Sequence, residues 1–326
     1  MSSIAAIRDS LRAARAALQK DYGPRSRPAR LLQAHAKLVD QHLRQVWSEL
    51  AMPRELALAA TGGYGRGELY PKSDIDLLIL LPHEPDEELQ YRLHELVQML
   101  WDIGLEVGHS VRTVEQCVAE SVDVTVQTNL LEARLLTGAQ ELFEEMRDTL
   151  AQHLDRRAFY LAKTQEQEKR YARYLDTDYN LEPNLKESPG GLRDLQNVLW
   201  ISRACGLGDT WKELTQAGLI TAAEASAIAR HESLLQNLRI RLHFLAQRRE
   251  DRLLFDYQTE LAQQFGIAAT ATHLASEHLM QHYYRTKQAV QLLNAVLLQN
   301  MRARLFPEAG EIRPVNQRFV ARGNLL

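Results

Sequence analysis

Apolar residues recur at helical spacing from Ser2 to Lys20 and again from Pro28 to Leu50, and each stretch reads as an amphipathic helix. The pattern then changes. Two short apolar runs bounded by turn residues, Glu55–Thr61 and Asp74–Leu81, read as strands. Asp86–Gly104 returns to helical spacing and stops at its glycine, and Leu105–Thr113 reads as a third strand. From Val114 onward almost everything follows helical spacing. One such segment carries Leu130, Leu131, Ala133 and Leu135. Long helices follow through Arg173, from about Ala222 to Arg249, and from about His273 to Leu305. The conspicuous break is Asp176–Leu195, with two prolines and a Gly-Gly pair. There is no internal repeat and no low-complexity linker. The pattern predicts an α+β fold: N-terminal helices over 1–50, a small α/β domain over 51–140, and an all-helical domain over 141–326.

Composition agrees with that division. A chain of 326 residues exceeds what a single core usually covers, so two domains are the default. With 45% hydrophobic and 25% charged residues it can bury a sizeable core. The net charge of -3 gives no global basic field to attract nucleic acid or a membrane surface. Cys117 and Cys205 lie far apart without metal-ligand spacing, which suits a reducing cytosol. The N-terminus is charged and helical, unlike a secretory signal, and no apolar run approaches the roughly 20 residues that span a bilayer. The expectation is a cytoplasmic protein without nucleic-acid or membrane partners.

The chemistry concentrates in Ala60–Leu81, "ATGGYGRGELYPKSDIDLLILL". Residues i and i+2 of a strand share a face, so Asp74 and Asp76 project together while Ile75 and Leu77 turn to the core. Two adjacent carboxylates repel each other and resist desolvation, and a divalent cation resolves both problems. Mg²⁺ prefers oxygen ligands and usually takes one or two carboxylates plus substrate phosphates. Gly62 and Gly63 follow a strand and open a turn into a helix, where backbone N–H groups bind anions. Arg66 adds a charged contact, and Ser73 stands next to the first aspartate. Together these make a site for a nucleoside triphosphate with Mg²⁺. A lone Asp-x-Asp or Gly-Gly is usually only a turn; the combination is what carries the reading. No Walker-type G-x-x-x-x-G-K-[ST] pattern occurs. Elsewhere the bland readings hold. His278 and His282 share a helix face without forming a metal motif, Trp101 and Trp200 fill cores, and Glu166–Tyr174 is a charged helix face.

The Gly-Gly turn followed by Asp-x-Asp on the next strand resembles the nucleotidyltransferase superfamily typified by DNA polymerase beta. The whole stretch Gly62–Leu80 is similar to the bacterial PII uridylyltransferase/uridylyl-removing enzymes, and "NLKESPGGLRDLQNVLWISR" (Asn184–Arg203) resembles that family's second signature. The related glutamine-synthetase adenylyltransferases carry a similar segment. The resemblance implies Mg-dependent transfer of UMP from UTP to a tyrosine of the PII protein, in nitrogen regulation. It implies metal on Asp74 and Asp76 and nucleotide contacts from Gly62, Gly63, Arg66, Ser73, Lys186 and Arg193. Read without it, Arg193 and Asp194 form a helix-start ion pair.

Two departures from the family pattern stand out. Family members are much longer, with a metal-dependent HD hydrolase domain and two ACT domains after this region, so this chain is expected to be an N-terminal fragment. The superfamily often has a third carboxylate on a later strand; that position is Gly108 here, with Glu106 on the same face as a catalytic candidate and Asp123 a weaker one. Adenylyl transfer to glutamine synthetase, or nucleotide binding without turnover, remain the alternatives.

Overall fold

The computed structural model describes residues 4–174, 181–307, 312–314 and 320–322. Ser2, residues 176–180 of the predicted break and the chain's last residues lie outside the described set. Two long helices come first, α1 (Ile4–Asp21) and α2 (Pro28–Glu49). Pro28 opens α2, where its missing N–H costs nothing. Next come β1 (Ala57–Ala60), the one-turn α3 (Gly62–Gly65), β2 (Ile75–Leu81), α4 (Glu87–Asp102) and β3 (Val107–Thr113). They are followed by α5 (Val114–Glu120), α6 (Val124–Leu131) and β4 (Arg134–Gly138). The remainder is largely helical: α7 (Gln140–His153), α8 (Arg156–Tyr174), α9 (Leu192–Ala204), α10 (Trp211–Gln216), α11 (Ala222–Ala246), α12 (Phe255–Gln264) and α13 (Ala275–Leu305). A two-stranded ribbon, β5 (Ile312–Pro314) with β6 (Val320–Arg322), comes last among the described residues.

The four-stranded sheet runs β3-β2-β1-β4. β1 is antiparallel to both β2 and β4, whereas β2 and β3, joined through α4, are parallel, as a helical crossover requires. Alternation along β2 decides what each face meets. Ile75, Leu77, Ile79 and Leu81 join Val39, Leu43 and Leu100 of α2 and α4 in one core. Leu78 and Leu80 turn the other way, toward Cys117 of α5 and Phe143 and Met146 of α7. Asp76 shares this second face, at its open end. A third core holds α8 to α13, and Leu31, Leu32 and Tyr70 reach into it. α2 therefore packs against both the sheet and the helical unit.

Three expectations are corrected. Leu135 lies in the edge strand β4, not in a helix with Leu130 and Leu131. Its apolar run abuts that of α6 with no break in pattern, and five residues cannot establish a period of their own. Trp101 is 61% exposed and fills no core, although Trp200 is buried. Asp194 is fully buried and pairs with Arg170, while Arg193 pairs with Glu187 at 3.0 Å, so no Arg193–Asp194 pair starts α9.

Candidate active site

Gly62 and Gly63 form the first residues of α3, held by an anchor beneath them. The Tyr64 hydroxyl donates to the buried Asp40 carboxylate of α2 at 2.6 Å, and Arg134 of β4 donates to the same group at 2.7 Å. Burial, then the Asp40 charge, pushes the Tyr64 hydroxyl far above its ordinary pKa, so it remains a donor. Gly62 sits at φ 55, a left-handed conformation that favours glycine.

That backbone is pressed against Asp76. A Cβ on Gly62 would lie 3.1 Å from one Asp76 oxygen, and a Cβ on Gly108, its partner on β3, would lie 3.0 Å from the other. The two missing side chains are the room in which the Asp76 carboxylate sits. Asn129 of α6 stands at the same place, its Oδ1 3.6 Å from where the Gly62 Cβ would be. Burial, followed by the neighbouring Asp74 charge, raises the Asp76 pKa, while Lys186 and Arg249 act against the rise. Asp74 precedes β2 and is half exposed. Its Oδ2 accepts from Arg249 Nη1 at 2.9 Å. The donor set fits a hard divalent cation. It offers two carboxylates two residues apart, one of them costly to ionise alone, and a guanidinium already stands on the other as a cationic substitute.

Lys186 and Arg193 come from the second signature, a loop fixed by its own hydrogen bonds. Asn184 Oδ1 accepts from the Lys186 and Glu187 N–H groups. The Leu185 N–H donates to Asp251 O at 2.7 Å, and the Arg193 N–H donates to Lys186 O at 2.9 Å. Burial, then Arg193 and Arg239, lowers the Lys186 ammonium to about 8, yet its charge still acts on Asp76. Arg193 is held by Glu187 and lies over the Trp200 ring, 5.1 Å from its centroid. Arg66 is turned inward: it pairs with Glu132 at 2.5 Å and Glu68 at 3.1 Å, and lies over the same tryptophan. Burial opposes its charge, and the two carboxylates outweigh burial.

Ser73 lies between the Tyr70 carbonyl, which accepts its N–H at 3.1 Å, and Asp74. Glu106 immediately precedes β3, so continuing the β2–β3 register sets it opposite Asp74; its carbonyl accepts the Ile75 N–H at 2.9 Å, and its charge supports Arg15. Among the described residues no three His, Cys, Asp or Glu side chains gather closely enough to hold a metal together. Asp123 caps α6, accepting from the Thr125 and Val126 N–H groups, and those bonds lower its pKa. That accounts for it as a helix cap.

Sequence reasoning missed Arg249 and Asn129. Arg249 follows α11, 175 residues from the aspartate it touches, and no local signal marks it. Its pair with Asp74 is 57% and 50% exposed, so Arg249→Ala is expected to change unfolding free energy by less than about 1 kcal/mol. The same substitution removes a charge that lowers the Asp76 pKa, so that pKa moves upward. Urea unfolding and an NMR titration of the Asp76 carboxyl carbon measure the two effects. A downward shift would rule out the arrangement.

Among the described residues no helix is long and apolar enough to cross a membrane. Residues 158–298 match the family model described as GlnD PII-uridylyltransferase, and residues 41–135 match the nucleotidyltransferase domain model. A bifunctional uridylyltransferase/uridylyl-removing enzyme of Nitrosospira multiformis is 51% identical over 98% of the chain. One from Cupriavidus pinatubonensis is 50% identical over 99% of it, and one from Aromatoleum aromaticum 54% over 91%. The chain spans 37%, 37% and 35% of these relatives' lengths.

Proposed function

The chain belongs to the GlnD PII-uridylyltransferase family, and from that premise we propose that it moves UMP from UTP to a tyrosine hydroxyl of a PII-type signalling protein in the cytoplasm. The observation that carries the proposal is the Asp76 carboxylate set between two glycines, with Asp74 beside it and cationic side chains of the helical unit reaching both.

In this reading Asp74 and Asp76 hold Mg²⁺, which when bound neutralises charge on the reacting phosphoryl group and eases loss of the acceptor's proton. The Gly62 and Gly63 backbone takes the outer phosphates, where an added Cβ would obstruct close approach. Lys186 and Arg193 face them from the helical unit, and Ser73 adds a polar contact beside Asp74. The Arg66 charge is already matched by two carboxylates, so its contribution is to fix the α3 turn against Trp200. A tyrosine hydroxyl has an ordinary pKa of about 10, so the acceptor needs a nearby base, and in this reading Glu106, opposite Asp74 in the register, takes the proton. The proposal for this chain is confined to transfer; uridylyl removal is part of the longer relatives' name.

The test incubates the chain with PII protein and Mg²⁺, and with either UTP or ATP, and reads the intact mass of PII. A gain of one UMP per modified subunit is expected with UTP. A gain of AMP alone would indicate an adenylyltransferase, and no gain with either nucleotide would indicate binding without turnover.

A further inference from the structure

A cavity of about 820 Å³ is lined by Ser73, the neighbour of Asp74, and by Arg249, its ion-pair partner, though not by Asp74 or Asp76 themselves. α1, the turn before β2, the α4–β3 connection and the end of α11 enclose it. Ser73, Glu106 and Arg249 lie on its wall, whereas Gly62, Gly63 and Lys186 do not. It therefore belongs to the Asp74 side of the carboxylate pair, away from the glycine turn. Its floor is apolar, from Leu11, Leu31, Ile103 and Phe244.

Its rim is cationic. Arg8, Arg12, Arg15, Lys72, Arg248 and Arg249 all line it. Four carboxylates answer them: Asp9 for Arg8 and Arg12, Glu106 for Arg15, Glu250 for Arg248 and Asp74 for Arg249. Six cations less four carboxylates leave a local excess of two positive charges, on a chain whose net charge is -3. An adjoining cavity of about 680 Å³ shares Leu18 and Leu31 and adds Arg25, Arg27 and Arg30 together with one carboxylate, Asp21. Arg15 is held in place by neutral partners. Its Nε donates to His35 Nε2 at 3.1 Å and its Nη1 donates to the Gly104 carbonyl at 3.4 Å. His35 is buried, with Nδ1 against the Leu69 carbonyl at 3.1 Å, and burial, then the Arg15 charge, holds its pKa down to about 4. It stays neutral and able to accept.

In phosphoryl transfer the attacking and leaving oxygens lie roughly in line across the reacting phosphorus. If pyrophosphate leaves on the Gly62–Gly63 side, the acceptor enters on the opposite side, where this cavity opens. We propose that the cavity docks an acidic segment flanking the acceptor tyrosine of the protein substrate. The inference rests on the transfer reading above. The apolar floor takes the aromatic or aliphatic side chains next to the tyrosine, and Lys72 together with Arg8 and Arg12, which share the single Asp9, takes the carboxylates. Complementary charge at such a rim sets partner choice and encounter rate.

The test uses a fluorescent short peptide with a tyrosine flanked by glutamates, and its glutamine counterpart, in anisotropy titrations with the 326-residue chain. The wild-type chain is expected to bind the glutamate peptide at least about tenfold more tightly. Arg12→Glu and Lys72→Glu, both peripheral to the fold, are expected to abolish that preference while UTP binding stays unchanged; melting curves confirm that both variants fold. Equal binding of the two peptides, or a preference that survives both charge reversals, would overturn the proposal. So would loss of UTP binding in the reversed variants, or displacement of the peptide by a single-stranded oligonucleotide that binds more tightly. An intact peptide preference in a chain that transfers no UMP to PII would support the docking surface and sink the transfer reading instead.

Discussion

Asp76→Asn is expected to reduce UMP transfer by at least about 10³-fold while the melting temperature holds or rises. The two halves of that result have one cause. The Asp76 carboxylate is largely withdrawn from water and faces Asp74, so the fold bears a cost for keeping it ionised. Asparagine keeps the shape between Gly62 and Gly108 and removes the charge. The sign with pH follows. A carboxyl whose folded-state pKa is raised binds more protons folded than unfolded, so wild-type stability falls as pH rises through the window between its ordinary pKa and the raised one. The stability gap between Asp76→Asn and wild type should therefore shrink as pH drops below that window. Transfer assays read by mass, with thermal melts at several pH values, test both halves. Retained turnover at ordinary Mg²⁺ would remove Asp76 from the metal site; a large loss of melting temperature would make it a structural residue.

Much of the site was legible because its chemistry is local. Strand, glycine turn and Asp-x-Asp fall within twenty-two residues, and a strand's period of two sets which face each aspartate takes. The glycine after α4, Gly104, marked a helix end by the same local logic. Less of the fold could be read that way. β4 is an edge strand of five residues whose apolar pair continues the run of α6, and only pairing with β1 distinguishes strand from helix. Trp101 looked like core by residue type, but its position on α4 leaves it 61% exposed. Arg249 reaches Asp74 because α11 ends at Ala246 and the next residue, Gln247, adopts φ 53 and breaks the helix before Arg249. Contacts of that separation leave no trace in spacing. Ion pairing is equally illegible in the sequence: Arg66 reads as a phosphate contact beside a glycine turn, and the fold adds that Glu132 and Glu68 pair with it.

The helical unit contributes Lys186 and Arg249 to the site, and their placement depends on a buried network around Asp251. Asp251 accepts from Arg239 at 2.7 Å and meets His243 Nε2 at 3.1 Å, while its carbonyl receives the Leu185 N–H. It thus ties the 247–253 segment that carries Arg249 to the loop that carries Lys186. The bridge between Asn184 and Arg252 joins the same two segments. Two basic side chains distant in sequence are set against two adjacent aspartates by one piece of packed backbone.

Asp194→Ala is expected to cost about 3–5 kcal/mol of folding free energy, the largest stability effect of any single substitution considered for this chain. Asp194 is fully buried. Its carboxylate accepts from Arg170 at 2.5 Å, from the Tyr171 hydroxyl at 2.5 Å and from the Gly190 N–H at 2.7 Å. Alanine leaves all three donors without that partner, and the Arg170 side chain, only 11% exposed, keeps a charge the interior cannot solvate. Arg170 retains the Glu187 carbonyl at 2.7 Å, which answers one of its nitrogens but not its charge. Removing both charges is therefore less harmful than removing the acid alone, so Arg170→Ala added to Asp194→Ala should recover part of the loss. Urea unfolding of the single and double variants measures this coupling; a loss below about 1 kcal/mol for Asp194→Ala, or strict additivity, would show that the pair is not the anchor. The network also fixes the loop that bears Lys186, since Gly190 and Glu187 belong to it. Asp194→Asn keeps one acceptor oxygen for these donors but also leaves the Arg170 charge unpaired, so it should lose stability too, by less than Asp194→Ala, and its folded fraction should show a raised KM for UTP.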